Sequence, residues 1–162
     1  MNDFSDSYLG RLRQVIGSRL VLTPGTRVVI ENPMGQVLLD RRADFGIWAL
    51  PGGCAETGEA IEATIVREVL EESGMVLHGV TPFGFASAPE WETTTFPNGD
   101  VCQNFSLLFT TRDYTNEPRP LDGEALEYRW CDPADLPEMV ANHRRTVEAW
   151  QQWRTGGGFQ LI

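Results

Sequence analysis

The stretch from Gly53 to Met75 constrains the chain more than any other, because it sets charged residues at fixed intervals between two glycines. From Ala60 to Ser73 it has no Gly or Pro, and Ile61, Ile65, Val69 and Leu70 recur at the period of a helix with one buried face. Thr57 is the expected N-cap and Gly74 the residue that ends the helix. Glu68, Glu71 and Glu72 then fall at i, i+3 and i+4, on neighbouring positions of one face. Three like charges repel there, so the cluster is either a solvated acidic face or the seat of a cation. The turn from Leu50 to Gly53 favours the second reading, since it can bring a free backbone carbonyl, that of Gly52, towards the same carboxylates. Oxygen ligands alone suit a hard divalent ion, Mg²⁺ or Mn²⁺. A phosphorylated substrate fits such a site, because the metal neutralises both sides and acidifies an attacking water.

Gly53, Glu59, Arg67, Glu68, Val69, Glu71, Glu72, Gly74 and Met75 together resemble the Nudix box at every defined position, and Trp48 to Gly53 is similar to its usual lead-in. The resemblance implies a Nudix hydrolase, which cleaves a nucleoside diphosphate linked to another moiety by attack of water on phosphorus. It implies Glu68, Glu71, Glu72 and the Gly52 carbonyl as metal ligands, with Mg²⁺ or Mn²⁺ as the cofactor. Arg67 would orient a box carboxylate, and Glu59 would support the turn. Gly53 and Gly74 hold the turn and the helix end. The catalytic base is open between Glu68 and Glu124, which resembles the Glu that some members carry on a late loop; Glu127 competes with Glu124. The fold implied is α+β, an α/β/α sandwich with a mixed sheet.

Two other classes remain. Isopentenyl diphosphate isomerases share the implied fold and use a Cys near the metal, and Cys54 follows Gly53 here; they resemble a degenerate box, whereas this one is complete. Nucleotide-sensing regulators also carry Nudix-like domains, though often with box acids lost. Among hydrolytic substrates, nucleoside di- or triphosphates suit a compact domain, with dinucleoside polyphosphates and ADP-ribose as alternatives.

At 162 residues the chain suits one domain, and 41% hydrophobic with 22% charged residues is a globular balance. The acidic start and the lack of a long apolar run point to a cytoplasmic protein with no membrane association. Cys54, Cys102 and Cys131 have no paired spacing and read as reduced thiols. A net charge of −10 disfavours nucleic acid as a partner, since a basic footprint is what such binding needs. A small nucleotide can still be held by local arginines. Arg41 and Arg42, after the apolar run Val37 to Leu39, are candidates for a phosphate or ribose; Arg144 and Arg145 have a weaker claim. His78 and His143 lack ligand-like neighbours, so zinc is not expected.

The first element reads as a helix over about 6–16, which could mediate a homodimer or close the sheet of one subunit. Residues 27–31 and 36–40 read as a hairpin across the turn from Asn32 to Gly35. Residues 77–87 and 101–111 read as antiparallel strands, with Asn98 and Gly99 in a tight turn. A short strand over 127–131 and a final helix over 138–153 follow, and residues 155–162 read as mobile or loosely docked. For a nucleobase shelf, Trp91 and Phe96 in the polar loop 89–100 are preferred over Phe45 and Trp48, which read as core.

Overall fold

The computed structural model of the protein describes residues 4–162. A 3-10 turn, Phe4–Asp6, leads into α1, Tyr8–Ile16, whose N-cap Ser7 accepts the Gly10 N–H at 3.0 Å. The strands β1, Val21–Ile30, β2, Val37–Arg42, β3, Trp48–Ala49, and β4, Gly52–Cys54, precede α2, Ile61–Ser73. Then come β5, Val76–Leu77, β6, Thr81–Ala86, a single helical turn α3, Pro89–Glu92, and β7, Thr93–Thr95. The chain continues through β8, Val101–Thr111, β9, Tyr114–Thr115, β10, Ala125–Cys131, α4, Ala141–Arg154, and β11, Gln160–Leu161.

The largest sheet has the order β11-β6-β8-β1-β4, with β7 also on β8, and it is mixed: β1 runs parallel to β8 and β11 parallel to β6. A second sheet, β10-β2-β3, is antiparallel. Strands buried on both faces read as continuous apolar runs, which is what Val28-Val29-Ile30 and Val37-Leu38-Leu39 are. Their side chains divide by parity. Val28, Ile30, Leu38 and Phe109 pack with Ile65 and Val69 of α2, while Val29, Val37, Leu39 and Leu108 pack with Val147 and Trp150 of α4. One helix on each face makes the α/β/α sandwich.

Several local expectations change. The Asn32 turn forms, its Oδ1 accepting the N–H groups of Met34 and Gln36, but β1 and β2 share only the bridge Glu31 to Val37. They separate because β1 finds β8 along its whole length, from Val21 opposite Cys102 to Ile30 opposite Thr111. Helix α2 starts at Ile61, with Ala60 as an N-cap that makes no side-chain bond, so Thr57 is not the cap. Gly74 ends it in the left-handed region at φ 72° as expected, whereas Leu70 is exposed rather than buried. The last helix begins at Ala141, and the tail is docked. The Ile162 N–H bonds the Phe85 carbonyl at 2.9 Å and its carbonyl accepts the Ser87 N–H at 2.7 Å. Among the described residues, no helix is long and apolar enough to cross a membrane.

Candidate active site

Arg67, on α2, organises the turn that precedes its own helix. Its Nε and Nη2 donate to the two Glu59 oxygens at 2.7 and 3.1 Å, and Nη2 also reaches the Cys54 carbonyl at 3.2 Å. Glu59 further accepts the Thr64 hydroxyl at 2.7 Å and the Glu56 N–H at 3.1 Å. The Arg67 bond holds the Glu59 carboxyl down at about 2. The same guanidinium lies 3.1 Å from Glu68 and 3.1 Å from Glu71, so one cation fixes two of the three helix acids. A Cβ at Gly52 would overlap the Thr26 carbonyl of β1, and one at Gly53 would displace the Glu68 carboxylate.

Glu72 is different. It is buried and turns away from Arg67 towards a loop that docks on the end of α2, where the Arg119 and Leu121 N–H groups bond the Ser73 and Glu72 carbonyls at 3.0 and 3.2 Å. That loop delivers Asp122 and Glu124, and carboxylate oxygens of Glu72, Asp122 and Glu124 lie within 4.8 Å of one another. Burial, then the charges of Asp40, Glu68, Glu124 and Asp122, raises the Glu72 carboxyl well above its usual range. Burial raises Glu68 to about 7 against the pull of Arg67, and raises Asp40 of β2 to about 7 against the pull of Arg42. Glu124 is raised by burial and by Asp122. Acids crowded this way hold protons that a divalent cation displaces.

These acids edge a cleft of about 560 Å³ that Glu68, Glu71, Glu72, Arg67, Gly52, Gly53, Glu124, Arg42 and Phe96 all line. Glu59 stands behind it through Arg67, and Gly74 lies at the far end of α2. Phe45 lines the cleft too, its ring 5.6 Å from that of Phe96, so it is not the core residue expected. Trp48 is buried in the core, as read. Two substrate-site candidates lie elsewhere. Arg41 bonds the Gly46 carbonyl at 3.0 Å and faces Glu127 at 3.4 Å, because neighbouring residues on a strand point to opposite sides. Trp91 packs under the Arg145 guanidinium at 4.5 Å. The pairing with Arg41 also keeps Glu127 away from the acid cluster.

The floor of the cleft was not read from the sequence. Arg27 of β1, itself buried, makes a bidentate ion pair with Glu92 of α3 and donates to Thr146 at 3.2 Å; Asn142 donates to Glu92 at 3.2 Å. His143 borders the cleft, its Nδ1 accepting the Leu50 N–H at 3.0 Å, and burial with the charges of Arg27 and Arg42 holds it neutral. The acids Asp122 and Asp40 also went unread. Asp122 had a signal, two acids flanking Gly123, a turn glycine at φ 88°; Asp40 had none. Cys54 lines the cleft, and burial with the Glu68 charge pushes its thiol up to about 12, so it stays protonated.

The NUDIX domain profile matches residues 21–151. This chain belongs to the NUDIX family. Among its relatives, the ADP-ribose pyrophosphatase of Methanocaldococcus jannaschii is 30% identical over 142 residues, covering 85% of this chain and 79% of that protein. The nucleoside triphosphatase NudI of Escherichia coli is 34% identical over 122 residues, covering 70% and 84%. Pyrophosphatases and nucleoside triphosphatases act on acid anhydrides, and this NUDIX protein is a hydrolase of that class. A MutT NUDIX hydrolase from Burkholderia pseudomallei has the same fold, with TM-score 0.66 at 24% identity over 80% of this chain and 98% of its own.

Proposed function

We propose that the protein is a metal-dependent pyrophosphohydrolase that cleaves a phosphoanhydride bond of a nucleoside di- or triphosphate, or of another nucleoside diphosphate derivative, by water attack on phosphorus. The observation that carries this reading is the meeting of Glu72, Asp122 and Glu124 at the edge of a cleft that Glu68 also lines, with no arginine ion-paired to any of the three among the described residues. The donors are all oxygen, which fits Mg²⁺ or Mn²⁺; Glu72, Asp122, Glu124 and Glu68 would hold the ion, while the expected ligands Glu71, paired with Arg67, and Gly52 line the cleft outside the group of Glu72, Asp122 and Glu124. When bound, such an ion offsets the charge of the phosphates and lowers the pKa of a water.

The chain's own groups supply the rest. Arg67 holds Glu68 and Glu71 in place. Either Glu68 or Glu124, both lining the cleft, takes the proton of the attacking water. Oxygen of that water bonds to phosphorus as the anhydride P–O bond breaks, and the leaving phosphate or nucleotide carries away the bonding pair. Phe96 and Phe45 provide the apolar wall suited to a base. A second substrate reading, ADP-ribose, is favoured by the relative from Methanocaldococcus jannaschii. The isomerase reading is not favoured, because the box is complete, with Gly53, Glu59, Arg67, Glu68, Glu71, Glu72 and Gly74 all present.

The test is release of phosphate and nucleotide from nucleoside di- and triphosphates, diadenosine polyphosphates and ADP-ribose, with Mg²⁺ or Mn²⁺, alongside Glu72→Gln. Metal-dependent cleavage that the variant loses supports the reading and names the substrate. Tight nucleotide binding with no cleavage of any member replaces it with a sensing role.

A further inference from the structure

The family match begins at residue 21, but the cleft wall begins earlier. Phe4, Ser7, Leu9 and Arg11, from the 3-10 turn and α1, line the same cleft as the box acids. This segment is fixed at both ends. At one end the Tyr8 N–H donates to both Glu56 oxygens at 3.0 Å, which ties α1 to the turn before α2. At the other, the buried Arg13 guanidinium donates to the carbonyls of Gly17 at 3.0 Å and Val101 at 2.7 Å, and stands 3.7 Å from Asp100. Gly10 lets the two parts close up, since a Cβ there would overlap the Phe4 carbonyl.

Four arginines line the cleft: Arg11, Arg27, Arg42 and Arg67. Three are neutralised by carboxylates, Arg27 by Glu92, Arg42 by Asp44 at 2.6 Å, and Arg67 by Glu59, Glu68 and Glu71. Arg11 is the exception. Its Nη1 donates to the Asp6 backbone carbonyl at 2.6 Å, a neutral acceptor, and among the described residues it meets no carboxylate at ion-pair distance. A guanidinium carries five N–H donors in a planar fork, and among the described residues one hydrogen bond, to the Asp6 carbonyl, is made by those of Arg11. It lines the same cleft as Glu68, Glu71, Glu72 and Glu124, where an anionic substrate has few other cations to meet.

We propose that Arg11 binds a phosphoryl oxygen of the nucleotide substrate, one that the carboxylate cluster and its cation do not hold. The N-terminal helix is then a specificity element, favouring substrates with a longer phosphate chain. This rests on the hydrolase reading for the identity of the ligand. The partner chemistry is a phosphoryl group, whether the terminal one of a nucleoside triphosphate or an internal one of a dinucleotide.

The test is calorimetric binding, in Mg²⁺, of a nucleoside monophosphate and of non-hydrolysable methylene analogues of the di- and triphosphate to wild type, Arg11→Gln and Arg11→Lys. Arg11→Gln is expected to weaken the triphosphate analogue about tenfold, the loss of one charge-assisted contact, while changing the monophosphate less than about twofold. Arg11→Lys should recover part of the loss. Unchanged triphosphate binding overturns the proposal, and so does equal weakening of all three ligands, which marks a merely structural role. Wild type that binds the analogues with the expected pattern, yet turns over no nucleotide, removes the hydrolase reading and keeps Arg11 as a phosphate contact. Wild type that binds none of the analogues overturns both.

Discussion

Glu72 and Glu92 are both buried, at 8% and 1% exposure, and they are buried in opposite ways. Glu92 receives two hydrogen bonds from Arg27 and a third from Asn142, so its charge is matched and its oxygens are satisfied. Glu72 faces Asp40, Glu68, Asp122 and Glu124. A folded chain has no structural use for the second arrangement, because each carboxylate raises the free energy of the others. The contrast separates the two kinds of buried charge in this cleft: one holds α3, α4 and β1 together, the other sets carboxylates against one another.

The largest effect expected is on stability. Glu92→Ala leaves Arg27 buried without its partner and should destabilise the protein by about 3–5 kcal/mol in urea unfolding; a loss below about 1 kcal/mol would end the comparison. Glu72→Gln should do the reverse, leaving the metal-free protein at least as stable while lowering turnover by about a hundredfold or more. If the variant is as destabilised as Glu92→Ala, Glu72 is structural. Glu124→Gln should lower turnover by about tenfold or more with the fold intact, and unchanged turnover would leave Glu68 as the base.

The pH dependence sharpens the contrast. Glu68 and Asp40 sit near 7 in the folded protein, above their values of 4.5 and 3.8 in free chain. Between those limits the native state keeps protons that the unfolded chain has released, so this contribution to stability is complete at low pH and is lost as pH rises through about 7. Metal-free wild type should therefore lose more melting temperature between pH 5 and pH 8 than Glu72→Gln, by about 3 °C. His143, held neutral, shifts stability the other way below about 6.5, and comparing the two proteins cancels it. Equal losses would mean the acids do not feel one another. The smallest effects concern the aromatic wall. Phe96→Ala should raise KM about fivefold with little change in kcat, whereas Trp91→Ala should change neither by more than about twofold. Steady-state kinetics on the preferred nucleotide separates them.

The box acids were legible because their meaning is local: a 3.6-residue period, a terminating Gly74 and three carboxylates on one turn of helix. Two partners of Glu72 were not, because Asp122 arrives through a docked loop, marked only by the acids flanking Gly123, and Asp40 arrives through strand pairing, which leaves no mark at a fixed spacing. Sheet partners were similarly hidden. The turn at Asn32 was read correctly and still misled, since turn chemistry predicts a reversal and not which sheet each strand will join. Trp91 and Phe96 were indistinguishable as loop aromatics. Only the path of β7 puts Phe96 over the cleft and leaves Trp91 beneath Arg145.

The parallel pairing of β1 with β8 joins residues about eighty positions apart, Val21 with Cys102 and Ile30 with Thr111. No short loop can nucleate it, and closing so long a segment is an entropic barrier that slows folding. During synthesis α2 can coil as soon as it emerges, but its neighbour sheet has no centre until β8 has been made. The acid cluster is completed later still, by a loop that follows β8. The box acids are therefore made well before the loop that sets further carboxylates against Glu72, and α4, which covers the other face of the sheet, is made after both.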